Sequence, residues 1–156
     1  MAAELEMSFN SAALLHLLKG TDEYLPPEQI LSGLSGEQAC TLIPGLPHSI
    51  ATWLGHMLYW QERRLGWVKG IEQPEITDTD NFPAVTSEQW PQLVVRFLAS
   101  CEELAALVTP ELCAQELYRG RSAGFAMASE ACHNAYHMGQ IVLMRRLLGL
   151  WPPPEV

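Results

Sequence analysis

Apolar residues recur along this chain at intervals of three and four, and strand-like alternation is not evident. The clearest case runs over about 87–108. There Trp90, Leu93, Val94, Phe97, Leu98, Cys101, Leu104, Ala105 and Val108 form one stripe that a helix would bury, with Cys101 as part of the core. Thr86 and Gln89 read as a capping box, Pro91 fits only the first turn, and Pro110 marks the far end. A second helix is expected over 47–69, starting at Pro47 or Ser49, with Gly70 just beyond its end and Ile50, Trp53, Leu54, Met57, Leu58, Gln61 and Leu65 facing inward. A third runs over 123–148 and is stopped by Gly149 and the prolines 152–154.

The N-terminal third is less regular. It reads as a helix over 9–19, a break at Pro26-Pro27 and a short helix over 28–34 that ends at Gly33 or Gly36. The segment 71–85 has two prolines, acidic residues and no basic one, so it reads as a loop. Four medium or long helices with one long connection between the second and third predict an all-α chain, a four-helix bundle with a crossover, built as a single domain over 1–156.

Composition narrows the function. Nine basic residues against eighteen acidic give a net charge of −9, and the cations are scattered rather than clustered. Such a chain repels phosphate backbones and anionic lipid, so neither a nucleic acid nor a membrane is an expected partner. The N-terminus carries Glu4 and Glu6 without the basic start and apolar core of a signal peptide, and no apolar run approaches membrane-spanning length, so a cytoplasmic location is expected. Cys40, Cys101, Cys113 and Cys132 lack a CxxC pairing and read as free thiols of a reducing compartment.

The sharpest chemical feature is His133-Asn134-Ala135-Tyr136-His137. Residues four apart on a helix stand one turn above each other, so two imidazoles can meet one ion. With five histidines, such a spacing has about a one-in-eight chance of arising at random, so spacing alone is weak. Orientation adds to it. Projected at about 100° per residue, both histidines fall on the core-facing side with Met144, Leu147 and Leu148, joined by Glu130 and Gln140.

Two readings stay open on these residues alone: a metal site, or two buried histidines satisfied by hydrogen bonds to Glu130, Gln140 or Tyr136. The zincin reading fails, because that motif needs Glu where Asn134 stands. A third ligand must come from another helix. His56, beside the apolar stripe of the second helix, is the best placed, whereas His16 and His48 read as structural or solvated. Tryptophans 53 and 60 read first as core, and Arg145 and Arg146 as exposed arginines favoured by the helix dipole. Opposite the histidines, Ala128, Cys132, Ala135, Gly139 and Val142 make a small-residue stripe, either a seam within the bundle or part of a homodimer interface.

The stretches His48-Ser49-Ile50…His56 and His133…Tyr136-His137-Met138-Gly139-Gln140-Ile141…Arg145-Arg146 resemble the second- and fourth-helix motifs of the DinB/YfiT-like superfamily of metal-dependent four-helix bundles. The resemblance spans essentially the whole chain. It implies a divalent ion (Zn, Ni, Mn or Fe) held by His56, His133 and His137, with Trp53, Glu130, Asn134, Tyr136 and Gln140 around the site and Trp60 farther off. It also implies frequent homodimerisation, and thiol-dependent S-transferase or isomerase chemistry, in which a low-molecular-weight thiol attacks a small electrophilic substrate. A metal-dependent hydrolase, or a non-catalytic dimeric module that binds metal or a small molecule, is the alternative. Many members of the superfamily are acidic where this chain has Asn134, a difference that bears on the tuning of the ligands.

Overall fold

A computed structural model describes residues 11–20, 25–76, 81–117 and 120–153, and these are all-α: the described residues contain no strand, only an isolated antiparallel bridge between Glu116 and Ser122. The elements are α1 (Ser11–Lys19), α2 (Pro27–Leu31), α3 (Gly36–Cys40), α4 (Ile50–Val68), α5 (Trp90–Ala106), α6 (Pro110–Ala114) and α7 (Ala123–Leu147). No helix among them is long and apolar enough to cross a membrane.

The ends follow local chemistry. At α4, Ser49 is the cap, its Oγ accepting the Thr52 amide at 3.2 Å, and at α7 Ser122 does the same for Phe125. Helix α5 begins three residues later than the apolar stripe suggests, because 87–89 form a turn. Half of the expected capping box is present, with the Gln89 amide oxygen accepting from the Thr86 amide at 2.9 Å.

The helix expected over 28–34 is shorter. It stops at Leu31, Gly33 takes a positive φ, and Ser35 with Gln38 forms a reciprocal capping box that opens α3, an element the periodicity did not reveal. Pro110 ends the α5 region as expected and also starts the short α6, capped by Thr109. Residues 9 and 10 of the first expected helix, and 77–80 of the long connection, lie outside the described residues.

Helix α4 packs against α5 and α7, and α1 against the same two. The interior has two apolar clusters. One gathers Ile30, Leu54, Met57, Phe97, Met138 and Ile141; the other gathers Leu14, Leu65, Leu104, Met127 and Ala131. Phe97 is fully buried, and truncating such a side chain to Ala costs about 3–5 kcal/mol.

Between the clusters lies a polar layer with one contribution from each long helix. The Gln61 amide donates to Ser100 Oγ at 3.1 Å and to Cys101 Sγ at 3.0 Å, and accepts from the Asn134 amide. Burial pushes the Cys101 thiol up to about 12, partly offset by the Gln61 donor, so it is an inert core group.

Two expectations are corrected. Leu147, expected on the core-facing side of α7, is exposed. Arg145 is not an exposed dipole partner but is buried at 1% exposure; only Arg146 is exposed. The Arg145 guanidinium donates to the carbonyls of Ile30, Ser32 and Leu150, tying the end of α7 to the chain after α2 and to the C-terminal segment. Five donors in a fixed fork suit three converging carbonyls. Helical periodicity could not show this, because the Ile30 and Ser32 carbonyls lie far from Arg145 in the sequence.

Candidate metal centre

Packing α4 against α7 brings His56 beside His133 and His137, which stand one turn apart on α7. Donor atoms of the three residues lie within 4.8 Å of one another. His56 and His137 are buried, while the His133 side chain is 25% exposed and opens the cluster to solvent.

Each ring is oriented through its Nδ1. His56 Nδ1 lies 2.8 Å from the backbone carbonyl oxygen of Asn81, and since a carbonyl only accepts, this nitrogen carries the proton. His137 Nδ1 donates to the Gln140 amide oxygen at 2.6 Å. His133 Nδ1 lies 3.4 Å from Glu130 Oε1, long for a hydrogen bond, yet neither atom has another partner and both are buried. The other Glu130 oxygen accepts from Arg64 Nε at 3.3 Å. The Asn81 bond to Nδ1 leaves His56 an Nε2 lone pair that faces His133, and the Gln140 bond to Nδ1 leaves Nε2 as the other ring nitrogen of His137.

His56 Nε2 and His133 Nε2 are 3.1 Å apart, the spacing of two donors on one ion, for which bonds of about 2.0–2.1 Å place nitrogens about 3.0–3.4 Å apart. The same distance suits a hydrogen bond, in which one ring donates an Nε2 proton to the other. A proton bridges only two rings, whereas a metal ion takes all three.

Electrostatics keep two of the rings ready as ligands. Burial pushes His56 below its ordinary range, opposed by the Asn81 carbonyl and reinforced by neighbouring His133. Burial also drives His137 down to about 4, with the Gln140 bond opposing and the other two histidines adding to the depression. Both are therefore neutral at ordinary pH, as ligation requires.

The remaining expected residues distribute unevenly. Trp53 stacks on His137 with ring centroids 4.7 Å apart and meets His56 edge-on at 5.7 Å, so it is a wall of the cluster. Tyr136 is 67% exposed and touches His137 with its ring at 5.1 Å. Asn134 turns its amide to Gln61 in the polar layer rather than to an imidazole. His48 stays outside the cluster, stacked on Phe82 at 4.4 Å, and His16 is exposed on α1.

Sequence reasoning missed Asn81, Phe82 and Arg64. The first two lie in the long connection: Phe82 stacks on His56 at 4.6 Å, and the Asn81 side-chain oxygen accepts from Trp60 Nε1 at 2.8 Å. An aromatic residue inside an otherwise acidic loop was the available signal.

Of the small-residue stripe, Cys132 and Gly139 are exposed, and a Cβ on Gly139 would meet nothing within 4 Å. Among the described residues, no other helix fills that position. In comparison with known proteins, no family model, curated protein or solved structure matches this chain.

Proposed function

We propose that this chain is a metal-dependent enzyme of the DinB/YfiT-like type. In this reading α1, α4, α5 and α7 form a four-helix bundle, the 71–85 connection is its crossover, and His56, His133 and His137 hold one divalent ion. The observation that carries the reading is the pair of opposed Nε2 atoms at 3.1 Å, on rings whose Nδ1 atoms already face acceptors.

When bound, the ion supplies Lewis acidity, and three protein ligands leave coordination positions open for a small molecule. Exposed Tyr136 and the open edge of His133 mark the approach to those positions. Trp53 and Phe82 close the opposite side against water. The reaction that suits this arrangement is thiol-dependent: a low-molecular-weight thiol loses its proton to solvent and its sulfur bonds to an electrophilic carbon, after which, in a transfer, the bond to the leaving group breaks with its electron pair, or, in an isomerisation, the C–S bond breaks again and the thiolate is released. The unpaired state of Cys40, Cys101, Cys113 and Cys132 fits a reducing cytoplasm in which such thiols abound. The open face of α7 around Gly139, flanked by exposed Tyr136, Leu143 and Leu147, supports a homodimer through that helix.

The test begins with metal analysis of protein purified without a nickel-binding tag. One ion per chain is expected, lost in His56→Ala and in His133→Ala; unchanged metal content in both variants refutes the site. Consumption of an alkyl or epoxide electrophile should then require added thiol, whereas turnover without thiol would assign hydrolysis instead.

A further inference from the structure

The long connection between α4 and α5 returns across α4 at its own histidine, and every contact it makes there is specific. Asn81 is fixed twice, its backbone oxygen on His56 Nδ1 and its side-chain oxygen on Trp60 Nε1, each at 2.8 Å. Phe82 lies between two imidazoles, nearly parallel to both: 4.6 Å and 8° from His56, 4.4 Å and 9° from His48. Trp53 meets Phe82 edge-on at 5.6 Å. Pro83 then crosses α4 at Gly55, where a Cβ would stand 2.9 Å from Pro83 Cγ and 3.3 Å from Val85 Cγ2, so the crossing is this close only because the helix has no side chain at that point. Val85 ends the crossing, its carbonyl accepting the Cys40 thiol at 3.4 Å.

We infer that the segment 81–85 is a strap that positions His56 as a ligand, so that its seating on α4 and metal binding depend on each other. The inference rests on the three-histidine reading. His56 is the only one of the three histidines on α4, and the strap supplies two of the contacts that orient its ring, the Asn81 carbonyl on Nδ1 and the Phe82 face against the ring. Unseating the strap removes both restraints at once and lets Nε2 leave the line to the other two donors. In the other direction, an ion that fixes Nε2 presents Nδ1 and the ring face to the strap, and linkage makes the two effects equal in free energy. Asn81 and Phe82 are thus positioning residues, and Gly55 is the lever that lets them reach.

The experiment titrates zinc(II), nickel(II) and manganese(II) separately against the full-length protein in competition with a chromophoric chelator. It compares wild type, Phe82→Ala and Gly55→Ala, each checked for helix content by circular dichroism. Orienting partners of ligand histidines typically contribute 10- to 100-fold in affinity, so each variant should bind at least about tenfold more weakly. Gly55→Ala favours the helix and adds a methyl group whose tightest contact is Pro83 Cγ, so adding Pro83→Ala should restore most of the affinity, a rescue that general destabilisation would not show. Hydrogen exchange of the amides of Asn81, Phe82, Ala84 and Val85 should slow on metal addition in wild type. Wild-type affinity in either single variant, or exchange unaffected by metal, overturns the strap while leaving the metal site standing. Failure of wild type to bind any of the three ions overturns the site and the strap together.

Discussion

Glu130→Gln tests whether the carboxylate between α4 and α7 serves the metal or only the fold. Glu130 is fully buried, accepts from Arg64 at 3.3 Å through one oxygen and faces His133 Nδ1 at 3.4 Å through the other, which has no other partner. Glutamine keeps the shape and removes the charge that makes His133 a stronger donor. Loss of such an outer partner lowers metal affinity about 10- to 100-fold, or about 1.4–2.7 kcal/mol.

The consequence is measurable as stability. With free metal at about 100 times the wild-type Kd, binding adds about 2.7 kcal/mol to folding, and a variant 10- to 100-fold weaker retains only about 0.4–1.4 kcal/mol. For a chain of this size that means a metal-dependent rise in Tm of about 5–10 °C in wild type and about 1–5 °C in Glu130→Gln. Without metal the variant should also lose about 1–3 kcal/mol, since Arg64 loses its partner but, at 19% exposure, keeps some contact with water. The assay is thermal unfolding with and without metal, beside chelator competition. If Glu130→Gln lowers both melting curves equally and binds metal with wild-type affinity, Glu130 serves only Arg64 and the proposed ligand support is refuted.

Three further outcomes follow from the same contacts. The ordinary histidine value of 6.5 applies to the unfolded chain, and the folded His137 lies near 4, with His56 shifted the same way. Between those values the unfolded state binds more protons, so His137's contribution is whole above pH 6.5 and lost as pH falls towards 4, up to about 3 kcal/mol. Urea midpoints in chelator at pH 7.5, 5.5 and 4.5 should fall accordingly, and less steeply in His137→Gln; a flat profile in wild type contradicts the burial argument. Arg145→Met should cost about 2–4 kcal/mol in urea unfolding, because three carbonyls lose their donor; stability equal to wild type would show that water reaches them. Gly139→Leu should convert a dimer to monomer in analytical ultracentrifugation while leaving the fold intact, and a surviving dimer would exclude the α7 face as its interface.

Much of this fold was legible in periodicity because the long helices bury one face each. The stripe from Trp90 to Leu104 and most of the inward set on α4 are apolar at helical spacing, and Ser49 and Pro110 act locally, within a turn of where they stand. What stayed hidden depends on distant partners. Arg145 looks like any arginine at a helix end until the Ile30 and Ser32 carbonyls are brought to it, and α3 and α6 are too short for a period to register. The polar layer through Gln61, Ser100 and Asn134 likewise needs three helices in register before a glutamine on an apolar stripe makes sense.

The histidines show the same limit in a sharper form. On the sequence, hydrogen bonds from Glu130 and Gln140 competed with metal ligation as explanations of two imidazoles on a core face. In the structure those bonds are made or nearly made, but they fall on Nδ1, and the Asn81 carbonyl takes the same atom of His56. A histidine satisfied at one nitrogen still has the other, and here the second nitrogens converge: His56 and His133 Nε2 face each other at 3.1 Å, with His137 in the same cluster. Hydrogen bonding at Nδ1 therefore does not compete with ligation at Nε2; it fixes the tautomer that ligation needs. Spacing along a helix could bring two rings together, but only the third ring, carried in on α4 and oriented by the returning loop, turns a pair of core histidines into a three-histidine group that could hold a metal ion.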